Sequence, residues 1–196
     1  MRIYNNVCRL LIAGLVVTAA SCVTESVETT PAMKFSDTSV IAVGDQDAAV
    51  KKGSTFAWLP DAVRFYKDER LEKSHVKELI EKEIVVNLSK LEMNFVESVS
   101  GATYAIAYTA ALESSLDDET IIQRYGLLPG NTQIPTDDSN IEKGSLIIYV
   151  FDTRTDGVIW RAAAQAGVHF DMPDVQRKER VERVVAEMFQ TFPVEK

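Results

Sequence analysis

Cysteine is nearly missing from this chain of 196 residues, which has two, at positions 8 and 22. Histidine is as scarce: His75 and His169 stand far apart, and neither has a second His or Cys at ligand spacing, so no zinc-binding pattern is present. Basic charge is short as well. With 21 Lys and Arg against 29 Asp and Glu, and no basic cluster, the chain lacks the concentrated cation that nucleic acid or anionic lipid surfaces demand. No Gly-rich phosphate loop occurs, because Gly126 and Gly130 bracket Leu-Leu-Pro, which makes a turn. No serine sits in a Gly-x-Ser-x-Gly elbow. The long apolar run that would span a bilayer is missing too, since Leu10 to Ser21 is 12 residues, against about 20 for a membrane-crossing helix.

That short run is the most informative feature present. Arg2 and Arg9 precede it, the small residues Ala19, Ala20 and Ser21 end it, and Cys22 follows. The first part has the architecture of a secretory signal peptide. With Cys22 it resembles the lipobox of bacterial lipoproteins, which implies cleavage between Ser21 and Cys22 and diacylglyceration of the Cys22 thiol. The alternatives are a membrane anchor, an ordinary cleaved signal or an unmodified buried thiol. Position 23 is Val rather than the Asp that marks inner-membrane retention, so the resemblance implies the outer membrane, with the domain facing the periplasm. Several acyl chains, each contributing about 0.8 kcal/mol per buried methylene, make such an anchor effectively permanent.

Residues 1–21 are thus expected to be a signal peptide and 22–35 a lipidated tether rich in Thr, Glu and Ser, leaving 36–196 as a single domain. Cleavage removes Cys8 and the lipid consumes Cys22, so the mature domain has no disulfide and depends on its apolar core. No cofactor or metal is expected beyond the covalent lipid on Cys22.

Hydrophobic periodicity lays out the domain. Thr38–Val43 and Ser54–Trp58 read as short strands, and Pro60 closes the second. From Arg70 to Leu91, Val76, Leu79, Ile80, Ile84, Leu88 and Leu91 recur at helical spacing, predicting one amphipathic helix. Ala102–Glu113 alternates as a strand. Leu146–Phe151 is apolar on both faces, Asp156-Gly157 signals a tight hairpin, and Val158–Gly167 returns. A final helix runs from about Asp174 to Pro193. The order predicts an α+β two-layer sandwich: a mixed, mostly antiparallel sheet of about five strands with two amphipathic helices on one face. The other face, carrying Arg161 and Gln165, is expected to meet water.

The linker Ser114–Lys143 is long for a connection. It holds Asp117-Asp118-Glu119, a helical turn near Ile121–Tyr125, and the pair Asp137-Asp138. Neither acidic cluster has the oxygen spacing of a calcium loop, and a helix cap and a polar loop explain them.

The pieces Thr55-Phe-Ala-Trp-Leu-Pro60, Tyr104-Ala-Ile-Ala-Tyr108, Gly144–Thr153, Gly157-Val-Ile-Trp-Arg161 and the helix closing on Phe192-Pro193 together resemble the bacterial lipoprotein family of domain of unknown function 4136. The resemblance implies an envelope lipoprotein with no established activity. Two positions depart from the family pattern: Leu91-Glu-Met-Asn94 replaces a glycine after the first helix, making Asn94 the expected left-handed cap, and Thr103 replaces an Asp.

Candidate binding residues are Arg161, Gln165 and Trp58. Arg161 either pairs with Asp152 across the hairpin or binds an anion. Trp58 and Trp160 either pack in the core, the favoured reading for Trp160, or form an aromatic platform. Three function classes follow. The first is a non-catalytic envelope interaction or assembly module, acting through the open sheet face or the loop of residues 114–143, with another envelope protein as partner. The second is an envelope hydrolase or glycan-binding protein, and the third a small-molecule or lipid carrier with Tyr104, Ile106 and Tyr108 lining a cavity. The tether predicts that cells fed radiolabelled palmitate label the protein in the membrane fraction, and that Cys22→Ala abolishes the label. An unlabelled wild-type product that washes free in buffer would contradict the lipid anchor.

Overall fold

The computed structural model describes residues 38–45, 48–130, 134, 135 and 137–195, all within one compact unit. Ser21, Cys22, the signal segment and the tether lie outside the described residues. The elements in chain order are β1 (Thr38–Gly44), β2 (Thr55–Trp58), β3 (Arg64–Phe65), α1 (Val76–Lys90), β4 (Asn94–Phe95), β5 (Tyr104–Leu112), α2 (Asp118–Tyr125), β6 (Ile141–Asp152), β7 (Gly157–His169) and α3 (Asp174–Met188).

Among the described residues the sheet has seven strands, in the order β1-β7-β6-β5-β2-β4, with β3 also paired to β5. β1, β7, β6 and β5 pair antiparallel in that order, whereas β2 and β3 pair with β5 in parallel. β2 and β3 occupy one edge of β5 in succession, because a 3-10 turn at Pro60–Ala62 interrupts what would otherwise be a single strand. The α+β class and the mixed sheet agree with the sequence reading. The two extra strands, β3 and β4, are two residues each, too short for a periodicity to register.

One face of the sheet packs on α1 and α3. Ile106 and Tyr108 of β5, Ile148 and Val150 of β6, and Trp160 of β7 meet Ile84, Leu88, Val185 and Met188 there. Trp160 is fully buried, with its ring 5.0 Å from Phe189 and 5.2 Å from Phe192. Its expected core role holds, and the small Ala162 beside it lets the helices come close.

Four local expectations need correction. The helix expected from Arg70 breaks at His75, whose φ is 50°, so residues Glu69–Ser74 form a separate 3-10 turn. That turn is held from outside. Arg70 bonds both oxygens of Asp68 (Nε to Oδ1 and Nη2 to Oδ2, each 2.8 Å), reaches Glu142 Oε2 of β6 at 2.7 Å, and lies 4.2 Å from the Phe170 ring centre. The left-handed residue after α1 is Glu92 (φ 61°), not Asn94, which starts β4 and donates to Gly53 O. In the hairpin, Asp156 alone of the Asp-Gly pair has positive φ (54°). Finally, the second face of the sheet is not open. Leu116, Ile121 and Leu127 from the long linker pack on Ala111, Ile147 and Ala163, adding a third layer over part of the sheet.

The Arg70 bonds hold the Asp68 carboxyl below the usual carboxylate range. Burial alone would raise Glu142, but the Ser114 and Arg70 bonds outweigh it and lower its pKa. Carboxylates lowered on folding stabilise the protein while ionised, and that contribution is lost as pH falls below about 4. Urea unfolding at pH 7 and pH 3.5 should therefore show a smaller acid loss for Arg70→Ala than for wild type, with the variant less stable by about 1 kcal/mol at pH 7. An unchanged pH slope would show that the cluster is not coupled to folding.

Candidate functional site

The three candidate binding residues do not converge. Trp58 lies on the α1 side of the sheet, while Arg161 and Gln165 lie on the α2 side. Gln165 is 1% exposed and donates to Asp118 Oδ1 at 2.7 Å and to Ser145 Oγ at 3.3 Å. Arg161, half-buried, donates from Nη1 to Tyr125 O at 3.0 Å. It makes no ion pair with Asp152, whose Oδ1 is already accepting from Arg154 N and Thr155 N in the hairpin turn. The two β7 residues hold the two ends of α2. A guanidinium on the last carbonyls of a helix is favourable to its dipole, and Gly126, in left-handed conformation at φ 66°, ends the helix there.

The N-terminal end of α2 is held by charge. Asp117 caps it by accepting from Thr120 N at 2.7 Å, as expected for the first acidic cluster. Asp118 also binds Lys143 Nζ at 2.7 Å, and Lys143 reaches Glu113 Oε1 at 2.9 Å. Burial alone would lower the Lys143 ammonium, but the Asp118 and Glu113 carboxylates outweigh it and raise its pKa. Among the described residues no group of three His, Cys, Asp or Glu is placed to hold a metal.

Trp58 borders an open groove of about 490 Å³ with Pro60, Val63, Phe65, Lys67, Lys77 and Glu81. Its ring stands edge-on to Tyr108, 5.8 Å between centres, and the buried Tyr108 phenol donates to Glu81 Oε1 at 2.8 Å. Burial, then the Glu81 bond, pushes the Tyr108 hydroxyl far above its usual range. This groove can stack a flat or apolar group on Trp58 with Lys67 and Lys77 at hand. The stripe proposed for a carrier cavity is elsewhere: Ile106 and Tyr108 are wholly buried in the core, and a cleft opens instead at the other end of β5, past Ala110.

A further surface is β1 itself. It is an edge strand of seven residues, and among the described residues no strand pairs its outer side. Natural edges are usually guarded by charge, proline or a bulge. Thr38-Ser-Val-Ile-Ala-Val-Gly44 has no charge and no proline, and its register with β7 is unbroken. Ile41 and Val43 share the α2-side face with Ala163 and Arg161 and are 37% and 44% exposed. Ile122 of α2 is 50% exposed. The absence of edge-guarding residues was legible in the sequence, but which strand forms the edge was not.

An open, mostly antiparallel α+β sheet with two long helices on one face defines the class. The chain belongs to the family described as Domain of unknown function (DUF4136), whose model matches residues 42–194. It is similar in fold to a DUF4136 family protein from Bacteroides thetaiotaomicron, with 16% identity, 80% of this chain and 96% of that chain covered, and a TM-score of 0.50. A PelC dodecamer from Paraburkholderia phytofirmans matches with 8% identity, 81% and 99% coverage and a TM-score of 0.49. No curated protein matches the chain. Among the described residues no helix is long and apolar enough to cross a membrane.

The α2 clamp makes a direct prediction. Asp118→Ala removes one partner each from Gln165 and Lys143 and should cost about 1–3 kcal/mol. Amide exchange should rise first in residues 118–125, ahead of β6 and β7. Uniform destabilisation with no preferential opening of α2 would contradict this role.

Proposed function

We propose that this chain is a lipid-anchored module of the bacterial envelope, held in the outer membrane through Cys22 and facing the periplasm, that binds other envelope proteins rather than catalysing a reaction. The observation that carries the reading is the unguarded β1 edge. An extended segment of a partner can add to it as a further strand, taking affinity from main-chain hydrogen bonds and selectivity from side-chain contacts. Ile41 and Val43 supply those contacts on one side of the strand. The lipobox-like sequence at Cys22 supports the location, and the acidic balance of the chain agrees with protein rather than nucleic acid as partner.

A photo-crosslinking residue at Val43, used in living cells, should trap a defined envelope protein. The variant Ile41→Lys, with the crosslinker kept at position 43, places charge on the edge and should reduce that adduct by about tenfold while circular dichroism stays unchanged. Recovery of nothing above a Cys22→Ala control, or an adduct indifferent to the lysine, would sink the reading.

A further inference from the structure

The helix-facing side of the sheet is bulky at one end and small at the other. Across the bulky end the paired rows are Ile106–Val150–Trp160 and Tyr108–Ile148–Ala162. Across the other end they are Ala110–Leu146–Ala164 and Leu112–Gly144–Ala166. α1 and α3 span both ends, and over the small end they bring Val76, Ile80, Val181 and Val184, which are too short to close the gap. The result is a cleft of about 140 Å³ between helices and sheet.

Protein interiors leave few voids larger than a water molecule. Apolar cavities of about 150 Å³ stay dry and accept a guest the size of benzene. This cleft is of that size, and its walls are almost wholly hydrocarbon. Gly144 helps keep it open: a Cβ there would fall 2.5 Å from Val168 Cγ2, so the position carries no side chain while Val168 keeps its place. Of the described residues that line the cleft, Arg180 of α3 alone is charged, and it is 8% exposed. A guanidinium has five N–H donors, enough to keep a protein partner and still bind an anion.

We propose that this cleft binds a small anionic amphiphile, with a tail of about five carbons between Ala110, Gly144 and Ala164 and a carboxylate head at Arg180. The walls exclude polar guests, and Arg180 selects an acid over an alcohol of equal length. None of the cleft's lining residues belongs to β1, although Ala164 and Ala166 pair with it, so the proposal does not rest on the partner-binding reading.

Hexanoate and hexanol serve as probes against the intact domain carrying 13C-labelled methyl groups. Saturable hexanoate binding is expected, with shifts centred on Ala164, Val181 and Val184 and an affinity about tenfold above that of hexanol. Arg180→Gln should bring hexanoate down to the hexanol level and leave hexanol unchanged. In wild type, absence of saturable binding by either probe, or shifts centred away from the cleft, overturns the proposal. Equal affinity for the two probes overturns it as well, because the acid-selecting role of Arg180 would then be lost.

Discussion

β5, β6 and β7 are apolar on both faces, and the need to bury both governs the rest of the molecule. Ile106, Ile148 and Trp160 point one way, while Ala111, Ile147 and Ala163 point the other. Water on either side would be costly at about 25 cal/mol per Å² of exposed apolar surface. The two long helices cover the first face. The second is covered by α2, a helix of eight residues that is too short to be stable alone and is tied down at both ends. Asp118 meets Gln165 and Lys143 at one end, and the Tyr125 carbonyl meets Arg161 at the other. The long linker is therefore largely a structural lid on the sheet.

This arrangement moves the candidate surfaces away from the sheet face. With α2 over part of that face, the candidate places for recognition among the described residues are the edge at β1, the Trp58 groove beside α1, and the cleft at the small end of the sheet. Each has its own chemistry. The edge offers main-chain hydrogen bonds, the groove an aromatic face with lysines, and the cleft hydrocarbon walls with Arg180 among its lining residues. In the cleft, the small residues that let helices approach elsewhere on the sheet leave space, because the helical side chains above are themselves short.

Much of the fold was legible because its elements are long and periodic. The double-sided run Leu146–Phe151 announced an interior strand, and the stripe Val181, Val184, Val185, Met188 announced a packed helix. What escaped were features set by distant partners. Arg161 and Gln165 looked like solvent-facing polar residues on a strand, since their partners Tyr125 and Asp118 lie 36 and 47 positions away in the chain. The break at His75 escaped for the same reason: helical spacing runs straight through it, while Arg70 is drawn out of line by Glu142 and Phe170.

By itself the sequence determined the α+β class, the strand and helix order, the core role of Trp160 and the resemblance to a lipoprotein leader, because these depend on local spacing and short-range chemistry. Tertiary structure alone decided that α2 covers part of the second face, that β1 is the edge, and that a cleft lies between the layers. Those outcomes depend on which residues meet across the sheet, and register is a property of chain pairing that no single segment encodes.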